Sequence, residues 1–255
     1  MAEAQEMLRL AQASGRVTAL YPPRPGLKGD RVMRRLLHEE RFVGEIREVR
    51  VTGMSLAESK DAYAWPADPE VTGVNAMTLG MWNEVLNRWV GPAARVTAIG
   101  RLHSRLRRAA AGELVDAVVP DSLAVTAELQ CGATASYHLS NHAAHGPGHS
   151  IEIYGSQGAL VYQFFAEKIS GASAGNAELQ PIAVPPEEER RQDTDIEFVR
   201  AIREGTPVSP TFEEGLRYME FCEAVALSAM SGQVVPVPPA RPMLDSWGRF
   251  LGGSQ

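Results

Sequence analysis

From Asp121 to Phe165 four runs read as strands: Asp121 to Gln130 and Ala133 to Ser140, which alternate apolar and polar residues, then His149 to Tyr154 and Ala159 to Phe165. A period of two places every second side chain on one face, so the first two runs predict strands with one buried side. Cys131-Gly132 and Gly155-Ser-Gln-Gly158 supply tight turns, and a His/Ala/Gly/Pro loop separates the middle pair. The pattern predicts an antiparallel meander with one covered and one free face. Ile46 to Met54 and Arg95 to His103 alternate likewise, and Val17 to Tyr21 predicts a short buried strand.

Helical spacing marks Ala2 to Ala13, with Met7, Leu8, Leu10 and Ala11 as its apolar stripe and Ser14-Gly15 as its stop. Asp30 caps a helix over Arg31 to Glu40, Ala76 to Val90 is the most apolar helix, and Asp195 to Arg203 is another. Thr211 caps a long helix to Met230 with acids in its first turn. Residues 57–72 predict a loop, 105–112 an exposed turn or helix, 171–180 a hairpin or loop, and 234–242 a proline-rich extended exit. The class is α+β.

Composition narrows the field. A chain of 255 residues with 44% hydrophobic and 22% charged residues can bury a substantial core. A net charge of −6 argues against a nucleic-acid binder. No apolar run is long enough to span a bilayer, so no membrane partner is expected. The N-terminus lacks the basic region and apolar core of a signal peptide. Cys131 and Cys222 lie far apart without a CxxC partner, which suggests a reduced, cytoplasmic protein.

Candidate chemistry is sparse. A dinucleotide cradle needs GxGxxG between a strand and a helix, and no stretch supplies it. Gly155-Ser-Gln-Gly158 leads into another strand, and Gly26-Leu-Lys-Gly29 has no Gly-rich strand exit before it. His138, His142, His145 and His149 recur at spacings of four, three and four, but Gly146-Pro147-Gly148 breaks any helix that would align them on a metal. They read as polar loop residues, one or two of them lining a pocket. Trp82 and Trp89 share a helix face as core residues do, while Asn83 and Glu84 either line a cleft or form the solvated side.

Several stretches together resemble the Gfo/Idh/MocA oxidoreductase family. They are AEAQEMLRLAQASGRVTALY with its Pro/Arg loop, RVMRRLLHEERFVGEIREVRV, LGMWNEVLNRWVGP, IEIYGSQGALVY, and the run from Asp195 to Pro238. The resemblance implies an open, mostly antiparallel sheet with helices on one face, acting as the substrate and oligomerisation part of an NAD(P)-dependent oxidoreductase of sugars or polyols. It implies that residues 1–24 are a remnant of the last helix–strand unit of a Rossmann domain, 25–240 the sheet domain and 241–255 a tail. The Gly-rich turn and the family's Glu-Lys-Pro segment are not in this sequence, and Glu167-Lys168 lacks the proline. Where the family's dehydrogenases carry Gly-x-His-x-x-Asp, this chain has Gly80-Met-Trp-Asn-Glu-Val85, with Trp82 at the His position and Val85 at the Asp position.

The resemblance therefore implies no tight NAD(P) binding by this chain alone, although NAD(P) belongs to a full-length member, and no metal. Substrate-cleft candidates are Arg24, Trp82, Asn83, Glu84 and His138. Indole cannot shuttle protons near neutral pH, so any catalysis would fall to Glu84 or a histidine of the 138–149 loop. Self-association as a dimer or tetramer is expected through the free sheet face, where Ala133, Ala135 and Tyr137 form one register and Thr134, Ser136 and His138 the other. The rival readings are a non-catalytic binding or assembly module and a hydrolase with metal in the histidine loop.

Overall fold

The computed structural model describes residues 1–21, 27–57, 61–190, 194–240 and 247. Six helices occur among them: α1 (Ala2–Ser14), α2 (Asp30–Arg34, continued by a π-helical turn over Arg35–Glu39), α3 (Pro69–Thr72), α4 (Leu79–Trp89), α5 (Thr194–Glu204) and α6 (Phe212–Ser231). The strands are β1 (Ile46–Met54), β2 (Ala93–Arg101), β3 (Leu106–Arg108), β4 (Leu114–Asp116), β5 (Ser122–Leu129), β6 (Thr134–Ser140), β7 (Gly148–Gly155), β8 (Gly158–Gln163), β9 (Lys168–Ser173), β10 (Gln180–Ile182) and β11 (Val235–Pro236).

Nine strands form one open sheet in the order β10-β9-β8-β7-β1-β6-β5-β2-β11, and β3 and β4 pair separately. Every contact in the large sheet is antiparallel except β1 with β6. This corrects the expected meander, since β6 and β7 are not neighbours. β1 lies between them, parallel to β6 and antiparallel to β7. The seven-residue connection from Asn141 to Pro147 is long enough to step over one intervening strand, at about 4.8 Å per strand spacing.

Alternation sorts the strand residues cleanly. Val49 and Val51, Ala135, Tyr137 and Leu139, Leu123 and Val125, Ile151 and Ile153, and Leu160 and Tyr162 are buried beneath the helices. Leu79, Trp82, Val85, Leu86 and Trp89 of α4 and Phe221, Cys222 and Val225 of α6 complete this core. Helix α6 starts on a capping box, in which Thr211 Oγ1 accepts from Glu214 N at 3.2 Å and Glu214 Oε2 accepts from Thr211 N at 2.6 Å. Among the described residues no helix covers the opposite face of the sheet: Thr97, Thr126, Ser136 and Arg50 align across it, with Ile99, Ala124 and His138 one row along.

Other expectations change. Val17 to Tyr21 is not a strand, because among the described residues no strand pairs with it; its Leu20 N donates to Pro210 O at 2.9 Å. Helix α1 turns Ala4, Leu8 and Ala11 inward and buries none of them fully, leaving Met7 and Leu10 about half exposed. The basic run after Arg105 opens the β3–β4 hairpin rather than a helix. The tail beyond 240 lies outside the described residues except for Trp247, whose Nε1 donates to Val74 O at 3.1 Å.

The turn between β7 and β8 requires its glycines. A Cβ on Gly155 would lie 2.2 Å from Val43 O and one on Gly158 2.5 Å from Ala172 O, both backbone atoms that cannot step aside. Gly155→Ala is expected to destabilise the fold by about 1–3 kcal/mol, read from urea unfolding. A loss under about 0.5 kcal/mol would mean that β7 and the segment at Val43 are less tightly joined than described.

Candidate functional site

A cleft opens on the helical side at the N-terminus of α4. One part, about 120 Å³, is lined by Gly53, Met77, Thr78, Met81, Trp82, Asn141, His149, Phe164 and Phe165. The adjoining part, about 250 Å³, is lined by Leu20, Tyr21, Trp65, Asn75, Thr78, Met81 and Tyr218. Thr78 and Met81 are common to both.

The local sequence explains how the cleft is held open. Met77 (φ 56°) and Thr78 (φ 52°) are both left-handed, a conformation that costs a side-chain-bearing residue about 1–2 kcal/mol. Asn75 offsets part of that cost, since its Oδ1 accepts from Gly80 N at 2.7 Å and ties down the first turn of α4. Strain of this kind persists where surrounding contacts enforce it, and it concentrates at functional sites.

Gly53 of β1 stands opposite Leu139 of β6 and His149 of β7. A Cβ there would fall 2.8 Å from Leu139 Cδ2 and 3.0 Å from Trp82 Cζ2, so the missing side chain is the seat of the indole. Trp82 is 3% exposed, stacks on His149 with centroids 5.9 Å apart and planes at 13°, and meets Phe164 at 4.4 Å. Phe165 closes on His149 edge-on at 4.4 Å.

The proposed cleft residues separate. Trp82 lies in the cleft. Asn83, 1% exposed, donates from Nδ2 to Tyr137 Oη at 3.2 Å in the core below. Glu84 points away from Trp82, paired with Arg88 at 3.0 Å in a small cavity shared with Asn87, Glu214 and Arg217. The reason is helical geometry: successive residues turn about 100° around the axis, so three in a row cannot line one wall. His138 is exposed on the free sheet face, opposite its neighbours Tyr137 and Leu139, and so lies across the sheet from Trp82. Arg24 lies outside the described residues. Val85 is buried core.

The other histidines of the loop also diverge. His142 Nε2 is 2.9 Å from Ser104 Oγ, and its Nδ1 is 3.6 Å from Asp121 Oδ2. Burial lowers its pKa, with Asp121 opposing. Asp121 also accepts from His103 N, Ser104 N and Arg107 Nη2 at 2.9–3.0 Å, so this Ser/His/Asp grouping ties the β2–β3 connection to the sheet. The Ser104 hydroxyl is shared with Asp61 and lines neither part of the cleft. Among the described residues no group of three His, Cys, Asp or Glu could hold a metal. His149 is the cleft histidine that pattern reading did not separate from the rest; its place opposite Gly53 follows from β1 pairing with β7, which sequence order does not reveal.

The start of α2 does not supply a pyrophosphate cradle. Gly29 leads into α2, but the first residue of that helix is the carboxylate Asp30, 2% exposed. Its oxygens accept from Trp89 Nε1 at 2.9 Å and Arg190 Nη1 at 3.1 Å, and Arg88 lies at 3.2 Å. A phosphate there would meet that negative charge, and the bare Cα of Gly29 is needed against Ile169 and Tyr162. No helix is long and apolar enough to cross a membrane among these residues.

An open, mostly antiparallel sheet with helices on one face and a cleft at the head of α4 is an α+β arrangement. A model of the GFO/IDH/MocA C-terminal domain matches residues 31–161, just over half of the chain, and the protein belongs to the Gfo/Idh/MocA oxidoreductase family. No curated protein matches by sequence. An oxidoreductase domain protein from Kribbella flavida superposes with TM-score 0.81 at 20% identity, over 93% of this chain and 71% of that one. Levoglucosan dehydrogenase, solved with NADH and L-sorbose, gives 0.72 at 19% identity over 83% of this chain. The WlbA dehydrogenase from Bordetella pertussis, solved with NADH and UDP-GlcNAcA, gives 0.68 at 18% over 93% of this chain and 68% of its own. The matched region spans 64% of the length of levoglucosan dehydrogenase.

Burial pushes the Glu84 carboxyl above the ordinary 4.5, with Arg88 opposing. A raised folded-state pKa means the native state binds the proton more tightly than the unfolded chain. This contribution is full below about pH 4.5 and is lost as pH rises through the folded value. The stability difference between Glu84→Gln and wild type should therefore move in favour of the variant from pH 4.5 to pH 7, in urea melts at each pH. A shift the other way would show that the Arg88 pairing outweighs burial.

Proposed function

We propose that this chain is the substrate-binding and self-associating half of an NAD(P)-dependent oxidoreductase acting on a sugar, polyol or related hydroxyl compound. The carrying observation is the cleft at the head of α4, strained at Met77–Thr78 and walled by aromatic, aliphatic and neutral polar side chains among the described residues, in a chain of this family. Hydride transfer requires a nicotinamide, and these 255 residues contain no Gly-rich pyrophosphate cradle, so the nucleotide-binding half is supplied from outside them. The cleft residues orient the hydroxyl-bearing carbon and exclude water.

The second reading is a binding or assembly module without chemistry of its own. Trp82 favours it: an indole stands at the family's histidine position, carries no titratable proton near neutrality, and is packed against Gly53 and Phe164. Calorimetry on this chain should show no saturable NADH or NADPH binding below about 1 mM, a level weak enough to exclude an assembled cofactor site. Micromolar binding would overturn the division of labour proposed here. Hydride transfer to a sugar on adding a family nucleotide-binding half would separate the first reading from the second.

Self-association is proposed through the uncovered sheet face. A shallow trough of about 540 Å³ crosses it, lined among others by Thr97, Ile99, Ala124, Thr126, Ser136 and His138. Small hydroxyl and aliphatic side chains dominate the centre, with Arg50 and Glu152 to one side and Arg95 and Glu128 toward an edge. Ser136→Lys would put a charge at the centre without touching the core beneath. It should convert a dimer or tetramer to the monomer mass in light scattering at about 20 μM, with little change in melting temperature. Wild type running as a monomer would overturn this reading.

A further inference from the structure

Helix α5 carries apolar side chains on both of its faces. Phe198 is partly buried and Ala201 is fully so, which defines the inner face. The outer face carries Ile196 (56% exposed), Val199 (44%) and Ile202 (58%) at intervals of three residues. That spacing draws one ridge along the helix, and three large aliphatic side chains left in water gain nothing from burial. Asp195 and Arg203, both exposed, flank the ridge and form no ion pair among the described residues. Arg200 and Glu204, by contrast, pair with each other at 4.0 Å.

These five positions are symmetric about Val199. Ile196 and Ile202 lie three residues to either side of it, and Asp195 and Arg203 lie four. At about 100° per residue all four point within about 60° of the Val199 direction, so they share its face. At a rise of about 1.5 Å per residue, Asp195 and Arg203 stand about 6 Å to either side of Val199 along the axis. A second copy of the helix, turned end over end about Val199, places each residue level with its counterpart. Val199 then meets Val199, Ile196 meets Ile202, and Asp195 meets Arg203 at both ends. Like charges never face one another in this arrangement. A face meant for an unrelated surface has no need of such symmetry.

We propose that the outer face of α5 is an interface with a second copy of this chain, in which two α5 helices pack antiparallel about a two-fold axis at Val199. A two-fold contact uses the same patch on both copies, so the patch has to complement itself, as this one does. At the separation of about 8–10 Å usual for packed helices, the isoleucines interdigitate and Arg203 reaches the partner's Asp195. The ridge is short, and the area it covers falls below the roughly 1,200 Å² of stable pairs, so the association is of the weak class. It adds to the contact proposed for the uncovered sheet face and does not depend on it.

The test uses the full chain carrying Ser136→Lys, which takes the sheet face out of play, in analytical ultracentrifugation. The mass should be that of the monomer at about 20 μM and climb toward the dimer by about 1 mM. Asp195→Arg and Arg203→Asp, each added singly, should weaken pairing about tenfold or more, because each sets like charges opposite one another at both ends. An equimolar mixture of the two should pair within about threefold of the parent, since every facing charge is then met by its opposite. The mixture holds the same two altered helices, so recovery cannot come from a change in helix stability. A parent that stays monomeric at about 1 mM would overturn the proposal. So would a mixture no more associated than its components, which would assign the ridge to a different surface such as a nucleotide-binding half. If the Ser136→Lys chain does not fold, the same mixing is done without it and read as growth beyond the sheet-joined mass. Failure of the sheet-face contact shows separately, as a wild-type monomer at about 20 μM.

Discussion

Gly53 has no side chain, and the indole of Trp82 lies against the space one would fill. That vacancy matters because β1 runs between β6 and β7, bringing Leu139 and His149 level with Gly53 on either side. Three strands and one helix meet at this point, and the cleft is what remains around their contact. Any larger residue at 53 would push the indole toward Met77, Thr78 and Met81, the residues that line the opening. The strained turn at Met77–Thr78 and the anchoring bond from Asn75 make sense as the other half of the same constraint, because they fix where α4 begins relative to β1.

The far end of α4 is held differently. Asp30, at the start of α2, takes the Trp89 indole N–H, and Arg88 and Arg190 flank it, while Glu84 faces Arg88 one turn back. A buried ion group such as this gains little over a well-packed apolar substitute, but removing one partner from it typically costs about 3–5 kcal/mol. Its role is therefore better described as fixing geometry than as adding stability. It joins α2, α4 and the segment at Arg190, and it keeps Glu84 out of the cleft. With aromatic contacts at one end and ion pairs at the other, α4 presents Trp82 to the opening and little else that is polar.

Much of the fold was legible in local pattern. The spans of β1, β5, β6, β7, α4 and α6 follow from period and caps, since each has a buried face with its own repeat and a recognisable stop. The order of strands was not legible, because β1 and β6 carry the same alternation and nothing local says which neighbour each takes. That one gap accounts for much of what was missed at the site. The four regularly spaced histidines read as polar loop residues, one or two of them lining a pocket, with nothing local to say which. Strand alternation sends His138 to the free face, Asp121 and Ser104 flank His142, His145 sits in a left-handed turn, and His149 falls beside Gly53. Asn83 and Glu84, adjacent in sequence to Trp82, went to the core and to the ion group because a helix turns too far per residue to keep neighbours together.

The same strand serves both sides of the sheet. Along β1, Val49, Val51 and Gly53 face the helices, while Arg50 faces the uncovered side between Ser136 and Glu152. A slip of one residue would exchange these sets, placing Arg50 under α4 and Gly53 on the open face, so register is fixed by the charge as firmly as by the valines. The cleft and the free face are therefore not independent additions to a scaffold. They are the odd and even residues of one strand, and each is specified by the residues that the other excludes.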